Sequence, residues 1–319
     1  MLIANKHLMK TLRNSYIPVV VLIAMMLAAA CQSGQKKSST LIEDVDKEAL
    51  IEDMEAFHQV YHLYPSPAEM LSVIDMADVA YDGSLLNPTE KADQYLDSKS
   101  KSTILGVYMA DLAYAALFGR HEETLDLLET VKSLSEEINI NEAVDESMIQ
   151  KARDNVEFLD SLYNISNDAF MNILSFCDRN DRMNTVVMIS AGALTESLFF
   201  AVNMIDDYRT ADYLLQHLAD QKYTIDNFMM FAGGLESDDP MVESTISDLN
   251  MIKDIYDGIK AGTGGVTIKA ANDSDSKQPK KLVIGGADSA SQPSLTEEEF
   301  AALKEAVIEL RNNIVNGNL

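Results

Sequence analysis

A chain of 319 residues with 51 acidic and 25 basic side chains carries a formal charge of −26 at neutral pH. That balance excludes the broad lysine and arginine surfaces that nucleic acid and anionic lipid head groups require. With 47% hydrophobic residues the chain can build one large core or two smaller ones, while two cysteines, Cys31 and Cys177, exclude a disulfide framework.

Residues 1–30 divide into the parts of a secretory signal. Lys6, Lys10 and Arg13 give a basic start without an acid, and an apolar run over 17–30 is broken only by Pro18. The run is shorter than the roughly twenty apolar residues that span a bilayer. It ends Leu27-Ala28-Ala29-Ala30, directly before Cys31. A cysteine placed there is where a lipoprotein signal receives its diacylglycerol, so the reading is cleavage before Cys31 and a lipid anchor on its sulfur. Ala28 stands where such signals usually carry leucine, with Leu27 one position further back. Residues 31–42 read as a polar, flexible tether. Gln32 follows the cysteine in place of aspartate, which by resemblance to enterobacterial lipoprotein sorting favours the outer membrane.

From 43 to 260 apolar residues recur at helical period. They predict helices at 43–63, 67–80, 89–98, 102–119, 121–137, 143–164, 167–180, 183–206, 209–221 and 241–260. Ser66-Pro67-Ala68-Glu69 and Asn87-Pro88-Thr89-Glu90 each combine a capping residue, proline at the first helical position and a glutamate behind it; Asp239-Pro240 carries the first half of the device. Leu125, Leu128, Val131, Leu134 and Ile138 form a one-sided stripe. Segments 104–118 and 183–205 are apolar on every side, which marks them as a buried central pair.

The run from Thr103 to Phe118 aligns without gaps on that from Thr185 to Phe200 and suggests a duplication into four-helix units, 66–165 and 166–260. In this alignment Asp111 falls on Ala193 and Glu196 on Tyr114, so the two acids are expected about one turn apart on facing helices. Gly106 and Gly192 would permit close approach of the pair. Residues 261–294, rich in Gly, Ser, Asp and Lys, read as a linker, with short apolar pieces at 266–268 and 282–284. Thr296 and Glu299 then form a capping box, and Phe300, Leu303, Val307, Leu310 and Ile314 continue at helical spacing. A C-terminal helix within 295–316 is expected to dock on the bundle. The fold class is therefore all-α: a multi-helix bundle, read as two duplicated four-helix units around the central pair, plus that last helix.

Asp111 is the only charged residue of 104–118, and Glu196 is likewise set in apolar surroundings. A carboxylate so placed must be paired, hydrogen-bonded or protonated. Tyr108 and Tyr114 flank Asp111 three residues to either side and are candidate donors to it. Facing carboxylates suit either a cation or ligand site or a structural polar core that fixes helix register, and structure is the commoner use. Glu55, His58 and His62 share one helical face and make a weak candidate metal site, without the HExxH pattern or a third ligand at recognisable spacing. Cys177 has no neighbouring base and reads as a small buried hydrophobe. The methionines read as core filling and the paired glycines as turns. No nucleophile–base pair, cofactor motif or phosphate loop is legible.

The string Tyr64-Pro65-Ser66-Pro67-Ala68-Glu69, followed by Ile104-Leu105-Gly106-Val107-Tyr108-Met109-Ala110-Asp111-Leu112-Ala113-Tyr114, resembles a family of all-helical lipoproteins common in Bacteroidetes-type bacteria. The resemblance spans residues 50–260. It implies a helical fold, an envelope address and a motif containing Tyr108, Asp111 and Tyr114, and it brings no catalytic or binding residues. The acidic run that follows the cysteine in surface-exported members is replaced here by Gln32-Ser33-Gly34-Gln35-Lys36-Lys37, which by this resemblance favours a periplasm-facing position. The functional expectation is a non-enzymatic lipoprotein without cofactor, held to the membrane through Cys31 and binding an envelope protein. The alternative is a receptor for a small ligand or cation near Asp111 and Glu196.

Overall fold

The computed structural model describes residues 66–77, 79–155, 157–235, 239–259 and 295–318. Cys31, the signal and tether, the helix expected at 43–63 with Glu55, His58 and His62, and the linker 261–294 lie outside the described residues. Among those described, nine α-helices form an all-α bundle without strands: α1 (Pro67–Met76), α2 (Ser98–Leu117), α3 (His121–Glu137), α4 (Glu146–Asp154), α5 (Leu159–Arg179), α6 (Met183–Asn203), α7 (Asp212–Gly234), α8 (Pro240–Gly258) and α9 (Glu297–Val315).

The two helices that are apolar all round do form the centre. Every residue of α2 from Ser102 to Ala116 and of α6 from Thr185 to Leu198 is buried. By length and composition α6 is apolar enough to cross a membrane, yet here its apolar surface is covered by other helices. Side chains keep most helix pairs 8–10 Å apart. This pair comes closer, because a Cβ on Gly106 would lie 1.9 Å from the Ile189 carbonyl oxygen, and one on Gly192 would lie 1.9 Å from that of Thr103. The contact is reciprocal. Tyr114 continues it by stacking on Phe200, with ring centroids 4.1 Å apart. The helices thus run side by side in one direction with Gly106 level with Gly192. That register differs by one turn from the gapless alignment, which placed Gly106 on Met188. Backbone contact at the two glycines decides it, and similar apolar bulk on both helices does not.

Around this pair α1, α3 and α5 pack on α2, and α1, α8 and α9 pack on α6. The broad contact that α3 makes with α2 has its counterpart on α6 in α9, while α7 rests mainly on α8. The C-terminal helix is therefore part of the bundle core: Leu303, Val307, Leu310 and Ile314 are all buried on its inner stripe. Its capping box forms as expected, with Glu299 N–H donating to Thr296 Oγ1 and Thr296 N–H donating to Glu299 Oε2. Asp239 caps α8 through the Met241 N–H, with Pro240 in the first turn.

Several helix boundaries differ from those expected. The break placed near residue 165 falls instead at residues 155–158, between α4 and α5. Ser166 is instead buried in mid-helix and donates to the Tyr163 carbonyl, while exposed Asp168 pairs with Lys151 of α4 at 3.4 Å. Helix α7 continues to Gly234, because Ile225, Phe228 and Ala232 extend its buried face beyond the expected end at 221. The segment starting at residue 89 is a short 3-10 helix, Thr89–Gln94, without a side-chain cap. Asn87 does not cap it; that residue is drawn into the core by the groups described next.

Candidate functional site

Tyr108, Asp111 and Tyr114 lie three residues apart along one face of α2, and across that face runs the irregular connection from α1 to α2. The Tyr108 hydroxyl donates to the Pro88 carbonyl (2.8 Å), Asp111 Oδ2 accepts from the Asn87 N–H (3.1 Å), and the Tyr114 hydroxyl accepts from the Asp82 N–H (3.0 Å). Residues 82–88 are therefore pinned in antiparallel order against three successive levels of the helix. This corrects the expectation that the tyrosines serve Asp111. Their hydroxyls reach past it to the backbone, and burial holds both protonated, Tyr114 with a pKa pushed up to about 12. Tyr81 stacks on Tyr114 and Phe118 meets it edge-on, with centroids 5.3 and 5.0 Å away.

Asp111 and Glu196 are brought together, and both are fully buried. The shift of register by one turn is what makes them neighbours rather than residues a turn apart. The third member of the cluster comes from α9. Arg311 Nε donates to Glu196 Oε2 (3.0 Å) and Nη2 to Oε1 (3.1 Å), a two-pronged pairing; Nη2 also reaches the Leu85 carbonyl at 3.3 Å. The guanidinium lies over the Phe199 ring, 4.6 Å from its centroid. Such fork-to-carboxylate geometry is arginine's particular strength, and stacking on an aromatic face adds to it.

Two carboxyls and one guanidinium in a dry interior balance only if one acid keeps its proton. Burial, then the adjacent Glu196 charge, raises the Asp111 pKa well above its ordinary 3.8. Burial raises Glu196 too, but Arg311 opposes it directly, so the shared proton resides on Asp111. Asp111 Oδ1 receives no donor from the protein. Carrying the proton, the Asp111 carboxyl can itself donate to the neighbouring Glu196, and the trio Asp111–Glu196–Arg311 is then neutral. Because the folded state holds this proton more tightly than the unfolded chain, its contribution to stability is fully present below about pH 4 and declines as pH rises through the raised value. Asp111→Asn supplies an amide that donates to Glu196 and still accepts from Asn87. The expected result in urea unfolding is stability within about 1 kcal/mol of the parent at neutral pH. The decline of stability above about pH 4 should also be shallower than in the parent. A steeper decline in the variant would put the proton elsewhere.

Sequence reasoning found the two acids and missed Arg311 and Asn87. Arg311 lies 115 residues beyond Glu196 and borders the apolar stripe of an otherwise acidic helix. Its position as one of two basic residues in that helix, next to buried Leu310, was the available signal. Elsewhere Lys99 of α2 is buried and pairs with Asp248 of α8 at 2.6 Å. Cys177 is buried as expected, and burial pushes its thiol up to about 11. Among the described residues no group of three or more His, Cys, Asp or Glu side chains is placed to hold a metal.

On the outside, α9 and the connection from α6 to α7 bound an open groove of about 890 Å³. Its floor is Ile205, Phe300 and Ile308, and Tyr208 closes one end by donating from its hydroxyl to the Leu295 carbonyl at 2.6 Å. Compared with known protein families, curated proteins and solved structures, the chain matches none.

Proposed function

We propose that this protein is a non-enzymatic lipoprotein of the bacterial envelope, tethered to the outer membrane through lipid on Cys31, whose helical bundle docks a partner protein. The observation that carries the docking part is the open groove beside α9, where exposed Ala301 and half-exposed Ile308 overlie buried Ile205 and Phe300 on a surface that is otherwise strongly acidic. The tether supports the same role, since a bundle held at a membrane is presented to whatever passes or sits there. A cation receptor at Asp111 and Glu196 is the weaker reading, because the Arg311 guanidinium already fills the position a bound cation would take.

The test is photo-crosslinking in intact cells with a benzophenone amino acid in place of exposed Ala301 in the groove, or of exposed Glu122 on α3. A discrete protein adduct is expected from position 301 and not from 122, in the membrane fraction. Cys31→Ser is expected to move the bundle to the soluble fraction. Equal adduct patterns from both positions would refute the docking site, and Cys31→Ser protein that stays with the membrane would refute the anchor.

A further inference from the structure

The lining of the groove specifies the chemistry of its occupant, an inference that rests on the docking role proposed above. The groove follows one outer face of α9 from Glu297 to Asn313. At 1.5 Å per residue that is about 24 Å, the length of a four-turn helix. Glu297, Glu305 and Glu309 line the α9 bank, and Asp206 and Asp207 line the other. Only Arg209 and Lys304 oppose these five acids, and no ion pair between described residues involves either cation or any of the five. The accessible apolar centre is Ala301, half-exposed Ile308 and the aliphatic stem of Lys304, set over buried Ile205 and Phe300.

We infer that the groove is a docking site for a cationic amphipathic helix of about four turns, carried by a partner protein. Its apolar stripe lies on Ala301, Ile308 and the stem of Lys304, and its lysines or arginines face the acidic residues on either side. An apolar stripe in an apolar channel sets the registry of such helix-in-groove complexes, while complementary charge raises the association rate and discriminates between partners. An acidic or neutral helix would place like charges, or unpaired carboxylates, along both banks.

The probe is a fluorescent sixteen-residue Leu/Lys amphipathic peptide titrated into the full-length chain, read by anisotropy. Saturable binding that weakens as salt rises is expected, and a Leu/Glu peptide of the same pattern is expected not to bind. Glu305→Lys combined with Glu309→Lys should weaken the Leu/Lys peptide at least about tenfold, a loss of roughly 1.4 kcal/mol. Glu122→Lys combined with Asp126→Lys, on the distant face of α3, should change it less than about twofold. Equal losses in both double variants would mean general attraction to an acidic surface and overturn the inference, as would no binding by the Leu/Lys peptide. Two other outcomes overturn it by naming a different occupant. Binding that emerges only after Lys277, Lys280 and Lys281 are changed to Ser would assign the groove to the chain's own basic stretch. A concentration-dependent dimer abolished by the groove variant would assign it to a second copy. A discrete crosslink from position 301 without peptide binding would leave the docking role standing while refuting the cationic partner.

Discussion

Arg311→Ala is expected to cost about 3–5 kcal/mol of stability at neutral pH, the usual consequence of stripping the partner from a fully buried carboxylate. Glu196 is completely enclosed, and Arg311 is its only cationic partner among the described residues. Without the guanidinium, Asp111 and Glu196 share one proton around a net negative charge that no water can solvate. The loss should shrink as pH falls, because a second proton then neutralises Glu196, and equilibrium urea unfolding at two pH values would show it. Glu196→Gln should be milder at neutral pH. There Asp111 is free to give up its proton and pair with the guanidinium, whose charge already acts to lower its pKa. Equal losses in the two variants would mean that Asp111 does not change its charge when Glu196 loses one.

The second large effect is expected at the central crossing. Gly106→Ala places a methyl group 1.9 Å from the Ile189 carbonyl oxygen and 2.7 Å from the Ala193 nitrogen. Both obstacles are backbone, so no rotamer change relieves the clash, and α2 and α6 must separate. Overpacking a core costs about 1–3 kcal/mol, occasionally more, and this site belongs at or above the top of that range. Gly192→Ala meets the Thr103 carbonyl at the same 1.9 Å and should cost as much. Gly233→Ala is the counterpart with opposite sign. Gly233 lies on an exposed face of α7 with nothing within 4 Å of its added carbon, so the variant should gain about 0.5–1 kcal/mol. Thermal unfolding of the three variants side by side separates glycine's helix propensity from its role in close approach.

Much of this architecture is legible in the sequence because burial leaves a periodic trace. Segments without a polar face became α2 and α6, and the one-sided stripe of α3 became a helix at the bounds expected, 121–137. The acids inside the apolar segments were visible for the same reason, since a charge among apolar residues on all sides demands an explanation. Register was not legible. One turn of sliding leaves the apolar match between α2 and α6 almost unchanged, and only the backbone contacts at Gly106 and Gly192 select one alignment. The connection before α2 was also hidden. Asn87 and Pro88 have the residue types of a helix start, yet Asn87 is buried, its N–H goes to Asp111 and its side chain caps nothing, so a local signal yields to a partner on α2. Arg311 was obscured by distance along the chain, because a basic residue beside an apolar stripe is commonly a surface residue whose stem covers the core.

These residues join into one arrangement. Tyr108, Asp111 and Tyr114 fasten the segment 82–88 to α2, Glu196 ties α2 to α6 through Asp111, and Arg311 ties α9 to α6 while reaching the Leu85 carbonyl. Tyr95 and Gln94 add hydrogen bonds to the Val315 carbonyl at the far end of α9, each at 3.0 Å. The outer face of α9 supplies one bank of the groove, so the internal clasp and the external docking surface share a helix. The central claim is that this clasp is a structural charge pair which fixes α9. The direct measurement is the coupling energy between positions 196 and 311, from the cycle of Glu196→Gln, Arg311→Met and the double variant at neutral pH. A coupling of at least about 2 kcal/mol is expected, with the double variant more stable than Arg311→Met alone. Losses that simply add, leaving a coupling near zero, would contradict the claim and show that α9 is held by its apolar stripe without the clasp.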